Sequence, residues 1–280
     1  MPKQIAPQYW QPHFAQHPLF AGYQGVASLF TGLDDWAGSD RLTTEARLRG
    51  LCNAAGLPLT FDPQTAACGQ RDYEAQILAT GGVPTRTANW HDFFNALVWL
   101  NFPRLKVALN AVQCAALAQR DEKRNPERGA RSDAATVFDE SGAVLIGPDA
   151  ELADQLRDHD WHGAFVEKRD LWQANRLLIV GHAVLEKALT LKVRPYPGMI
   201  AKALYLPWPA LDGPLNTPPE GLDAALADVW HGGAVQRPAD LFAIPVLGVP
   251  GMDPGNAHPA YYANRTVFRA KRVPCSKPEP

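Results

Sequence analysis

The stretch Asn89-Trp-His-Asp-Phe-Phe-Asn-Ala-Leu-Val-Trp-Leu-Asn-Phe102 decides the fold class. On a helical wheel, at about 100° per residue, Phe93, Phe94, Leu97, Val98 and Leu100 cover most of the circumference. That pattern predicts a helix buried on nearly every side. His91, Asp92 and Asn95 share the remaining sector with Trp99, giving the buried helix one polar stripe. Burying a neutral polar group without a partner costs on the order of 2–7 kcal/mol, so the stripe must meet water, a ligand, a metal or other polar side chains. Pro103 ends this helix and starts another. Leu105, Leu109, Val112 and Ala116 then recur at i, i+4, i+7 and i+11, with the proline in the first turn, so the two helices form an elbow.

Outward from the elbow, further helices are predicted over Leu42 to Ala55 and Asp72 to Ala79 on the N-terminal side. On the other side they fall over Glu151 to Arg157, within Trp172 to Leu191 (starting somewhere in Arg176 to Gly181), and over Leu222 to Trp230. Ala135 to Gly147, two β-rich runs around Glu140-Ser141-Gly142, reads as a β-hairpin with Asp139 at its turn. Of the 25 prolines in 280 residues, 15 lie from Pro195 onward, so that region reads as short extended runs wrapped over the body. The expected fold is α+β: a mainly helical core, a β-hairpin and a proline-rich, irregular C-terminal layer. Residues 1–40 form an aromatic N-terminal arm packed on the body, 41–272 a single α+β domain and 273–280 a tail.

Composition removes several function classes. Lys plus Arg is 27 and Asp plus Glu 29, a net charge of 27 − 29 = −2, which leaves no global basic field for a nucleic acid. The run Arg120 to Arg131 mixes both signs, as a solvated loop does. Cys52, Cys68, Cys114 and Cys275 are scattered without a C-x-x-C pair, which fits a reducing compartment. With no secretion signal and no apolar run near the roughly 20 residues of a membrane span, a cytoplasmic location is expected. Phosphate-loop, dinucleotide, nucleophile-elbow and H-E-x-x-H motifs are absent.

Two constellations can carry chemistry. The first is the stripe His91, Asp92 and Asn95, for which helix capping by Asn89 or Asp92 and a satisfied core histidine are the structural alternative. The second is His182 and Glu186, at i, i+4 on one helix face. That spacing suits a metal or a proton relay, and equally an exposed ion pair worth about 0.3–0.5 kcal/mol. His159 and His162 lie in a polar stretch that reads as surface.

Val83 to Asn110, with its Asn89-Trp-His-Asp block, resembles the hallmark of an uncharacterised bacterial family, the domain of unknown function 3025. Arg131 to Gly142, Gly181 to Lys187, Ile244 to Gly251, and Tyr261-Tyr262 through Phe268-Arg269 match in order, so the resemblance spans roughly residues 55 to 272. It implies Arg86, Asn89, His91, Asp92, Asn95, Asp139, His182 and Glu186 as recurrent polar positions. Two departures stand out. Gln113-Cys114 occupies a place where a histidine is expected, which would matter if that histidine were catalytic in relatives, and Met252 replaces an aromatic residue.

Together these readings favour a hydrolase acting on a small molecule. His91, Asp92, His182 and Glu186 would serve as the catalytic set, with a divalent metal as one option. Arg86, Asn89, Asn95 and Asp139 would contact substrate, Arg86 through an anionic group. The competing expectation is a non-catalytic binding or scaffold protein whose stripe pins the elbow. Metal identity and oligomeric state are not readable from the sequence.

Overall fold

The computed structural model describes residues 9–64, 70–123, 129–189, 198–213 and 215–271. The tail at 273–280, the centre of the Arg120 to Arg131 loop, and Cys68 and Cys275 lie outside them. In chain order the elements are α1 (Gln24–Ala27), α2 (Ser39–Leu48), β1 (Thr60–Pro63), α3 (Gln70–Thr80), β2 (Gly82–Thr85), α4 (Trp90–Asn101), α5 (Pro103–Lys123) and α6 (Ala130–Ser141). They continue as β3 (Gly142–Gly147), α7 (Glu151–Asp158), β4 (Arg176–Ile179), α8 (His182–Ala188), β5 (Ile200–Pro207), α9 (Leu222–His231) and β6 (Phe242–Pro245), with short 3-10 turns and one π-helical turn (Gly163–Glu167) between elements. The fold is α+β, with two small sheets.

Helix α4 sits at the centre, and ten of its twelve residues are buried. The Asn89 side chain caps it, Oδ1 accepting the Asp92 backbone N–H at 3.0 Å. The aromatic N-terminal segment covers its first turns. Trp10 stacks on Trp90 with ring centroids 5.0 Å apart, and Phe14 meets Phe93 edge-on at 5.3 Å. Buried Tyr23 ties the same segment to β4 by donating to the Ile179 carbonyl at 2.9 Å. At the elbow, Asp223 of α9 accepts the backbone N–H groups of Arg104 and Leu105 at 2.9 and 3.0 Å, satisfying donors that the start of α5 leaves free.

The larger sheet has the order β4-β3-β5-β6: β3 runs parallel to β5, while β4 and β6 lie antiparallel on the flanks. All six residues of β3, Gly-Ala-Val-Leu-Ile-Gly, are buried. The smaller sheet pairs β1 with β2 in parallel, joined through α3. Among the described residues no helix is long and apolar enough to cross a membrane.

Four local expectations change. The β-hairpin over Ala135 to Gly147 is absent: its first half is the last two turns of α6, and β3 pairs with the distant β4 and β5 instead. Val137-Phe138 looks β-prone, but Ala134, Ala135 and Phe138 at i, i+1 and i+4 give one buried helical face, and tertiary packing outweighs local propensity. Asp139 is therefore helical, not part of a turn. The helix begun near Leu42 ends at Leu48, before Gly50 at φ +63°, a left-handed conformation suited to glycine. Within Trp172 to Leu191, Arg176–Ile179 is a strand and the helix starts at His182. The proline-rich third is less irregular than expected, because β5 and β6 supply half of the larger sheet.

Replacing Asn89 by Ala removes the α4 cap and should lower the unfolding free energy by about 1 kcal/mol in urea titrations, with the m-value unchanged.

Candidate metal centre

Three chain segments converge at the first turn of α4, beside the partly exposed His91. His91 projects from α4, Glu140 from the last turn of α6, and His182 from the first residue of α8. Close backbone approach makes this possible. A Cβ on Gly181 would fall 2.4 Å from the Ser141 Cα and 2.6 Å from the Glu140 carbonyl oxygen, so glycine is needed where α8 meets the end of α6. The Val180 and Gly181 N–H groups both donate to the Gly142 carbonyl, at 2.9 and 2.8 Å, and lock that junction.

The two histidines meet through their Nε2 atoms, 3.0 Å apart, with the rings inclined at 76°. The Glu140 carboxylate lies 3.9 Å from His91 Nε2 and 3.7 Å from His182 Nε2. Ligand atoms of all three residues fall within 4.8 Å of one another, a grouping able to hold a metal ion. Two imidazole nitrogens at the usual 2.0–2.1 Å from a tetrahedral zinc would be about 3.3 Å apart, so the pair is already near ligand spacing.

Each histidine has a second carboxylate behind it. Glu186 Oε2 lies 3.2 Å from His91 Nδ1, and Asp139 Oδ2 lies 3.9 Å from His182 Nδ1. Carboxylates on the Nδ1 side orient metal-binding histidines and direct Nε2 to the ion. His182 Nδ1 is buried and makes no hydrogen bond among the described residues, so a small movement toward Asp139 would satisfy it. Burial, opposed by Asp139 but reinforced by His91 and Lys106, pushes the His182 pKa down to about 3 and keeps the ring neutral, as a ligand must be. At His91 burial also pulls downward, but the bond to Glu186 and the neighbouring carboxylates outweigh it and raise the pKa. Burial raises the Glu140 pKa as well, against the pull of His91.

Asp139 is held from the other side by Lys106 of α5. The Lys106 ammonium also donates to Asn95 Oδ1 at 2.8 Å and sits 5.3 Å from the centre of the Trp99 ring, while Asn95 Nδ2 donates to Tyr73 OH at 2.7 Å. Burial would raise the Asp139 pKa, but Lys106 and His182 together hold it below the usual carboxylate value.

Of the residues singled out from sequence, His91, His182, Glu186 and Asp139 come together here. Asp92 turns away to Arg86: Nε and a terminal nitrogen donate to its two oxygens at 2.9 and 2.7 Å. Asn89 is occupied as a cap, and Asn95 as the link between Lys106 and Tyr73. Glu140 and Lys106 are additions. Glu140 was concealed by the hairpin reading. Lys106 belongs to a second polar row, Lys106, Asn110 and Gln113 at i, i+4 and i+7, all of it buried.

The family departures fall away from the cluster. Gln113 accepts from Thr136 at 3.2 Å and Cys114 contacts the Glu74 carbonyl at 3.4 Å, two turns and about 10 Å along α5 from Lys106. Met252 packs against the core and borders a groove of about 690 Å³, which none of the three cluster residues lines.

The sequence profile of the family described as "Protein of unknown function (DUF3025)" matches residues 59–272. No curated protein and no solved structure matches the chain.

Replacing Lys106 by Met strands a buried carboxylate and should cost about 3–5 kcal/mol, whereas the double change Lys106→Met with Asp139→Asn should recover much of that loss. Thermal unfolding of the two variants checks both values.

Proposed function

The chain belongs to the DUF3025 family, and we propose that it is a metal-dependent hydrolase of a small molecule, with His91, His182 and Glu140 as the ligands of one divalent ion. One observation carries this reading: two Nε2 atoms and a carboxylate face a common point, while a further carboxylate stands on the Nδ1 side of each ring. A His, His and carboxylate set is found in hydrolytic zinc sites that leave coordination positions open for water and substrate. His91 and Glu140 retain 31% and 46% of their side-chain exposure, so water and substrate can reach the point from one side.

The ion would supply two things: a Lewis acid for the scissile carbonyl or phosphoryl group, and a bound water with a pKa of about 7. Water adds across the scissile bond, its oxygen bonding to the acyl or phosphoryl atom while the leaving group takes up a proton. The protein's own contribution is orientation. Glu186 holds the His91 ring, Asp139 stands behind the His182 ring to orient it once the two close to hydrogen-bond distance, and Lys106 holds Asp139. Asp92, expected as a catalytic residue, acts through Arg86 in this scheme.

A second reading has its own observation. The row Tyr73, Asn95, Lys106 and Asp139 is satisfied internally, as a purely structural stripe in a non-catalytic scaffold would be. The two differ in what removing a histidine does. For a metal centre, His182→Ala should abolish tight zinc binding in calorimetry of the chelator-stripped full chain, leaving the metal-free melting temperature equal or higher. Asp139→Asn should weaken zinc roughly 10–100-fold, and His159→Ala should change nothing. Absence of zinc, manganese, iron or cobalt binding by the unaltered chain, with a marked drop in melting temperature for His182→Ala, would favour the scaffold.

A further inference from the structure

Arg86 lies in the segment before α4 and has an unusual combination of rigidity and exposure. Its side chain is 52% exposed, while its partner Asp92 is 11% exposed. Asp92 Oδ2 accepts both the Arg86 backbone N–H, at 2.7 Å, and its Nε–H, at 2.9 Å, while Oδ1 accepts one terminal nitrogen at 2.7 Å. The guanidinium plane is thus fixed before any ligand arrives. Its other terminal nitrogen makes no hydrogen bond to a described residue.

The position of this edge is informative. Asp92 follows the candidate ligand His91 on the first turn of α4. Glu186, which holds His91 Nδ1, also adds to the field at Arg86: the bond to Asp92, outweighing burial, raises the arginine pKa, and Glu186 contributes in the same direction. The nearby carboxylates Asp92 and Glu186 already have partners in Arg86 and His91. A divalent ion with two neutral imidazoles and one carboxylate would carry a net charge of 2 − 1 = +1. A ligand entering the site would therefore meet a positive ion, with a pre-aligned guanidinium edge held by Asp92, the residue that follows His91. Arginine's planar donors match the oxygens of a carboxylate or phosphate group.

We propose that the substrate carries an oxyanion group, phosphate or carboxylate, that binds the free edge of Arg86 while the scissile bond lies at the His91, Glu140 and His182 centre. This rests on the metal-centre reading and specifies its substrate class. Arg86 is then a substrate-binding residue, and Asp92 is the positioning residue that aligns it.

The test uses the full chain loaded with one equivalent of zinc and desalted, titrated in separate arms with inorganic phosphate and acetate. Arg86→Met and Arg86→Lys are compared with the unaltered chain, and Arg86→Met with Asp92→Asn covers the case in which an unpaired Asp92 impairs folding. Zinc affinity should stay within about threefold in all of them. At least one oxyanion should bind the unaltered chain and weaken about 10-fold or more with methionine, in line with roughly 1.5–3 kcal/mol for a hydrogen bond to a charged group. Lysine should restore part of that loss, since it keeps the charge but lacks the fork. The arm that responds identifies the group as phosphate or carboxylate. Zinc binding with no oxyanion binding, or oxyanion binding indifferent to residue 86, overturns the inference alone. Failure of the unaltered chain to hold zinc overturns the metal centre, and the inference with it.

Discussion

Helix α4 has almost no face to offer to water, and much of the arrangement around it follows from that constraint. A helix so fully surrounded hands its amide, carboxylate and imidazole groups to neighbours, while the Trp90 and Trp99 indole N–H groups find no partner among the described residues. Asn95 is answered by α3 and α5, Asp92 by the preceding segment, and His91 by α8. Lys106 brings a positive charge into the same interior, and among the described residues Asp139 of α6 supplies the opposite charge at contact. Each satisfied group specifies where another element must lie. The hydrophobic packing sets the distances between these helices, while the polar contacts choose which residues face one another.

The same logic explains what could be read from sequence. The elbow at Pro103 was legible because two unlike periodicities meet at a helix breaker. The pairing of the 91–92 and 182–186 segments rests in the sequence on residue types alone, and in the fold the 3.0 Å contact of His91 with His182 joins them. Glu140 escaped notice because Val137, Phe138 and the glycine at 142 imitate a hairpin, and nothing local reveals that α6 extends up to the strand. Lys106, Asn110 and Gln113 form a polar row that a wheel cannot distinguish from a solvent-facing one. A buried lysine becomes recognisable only when its carboxylate partner, 33 positions away, is seen beside it.

The prolines prove compatible with order of a particular kind. Pro207 closes β5 and Pro245 closes β6, so the sheet grows through the proline-rich third while its length is limited there. The N-terminal aromatic segment completes the enclosure from the opposite end of the chain, through the stack of Trp10 on Trp90.

The sheet order has a kinetic consequence. β3 adds β5 in parallel, and the His91 to His182 contact spans 91 positions, so the cluster exists only after several long loops have closed. No excised hairpin or helix pair would contain it, and a nascent chain can complete it only after His182 has been synthesised. Any ion held there would favour states in which α4, α6 and α8 have met over those in which they have not.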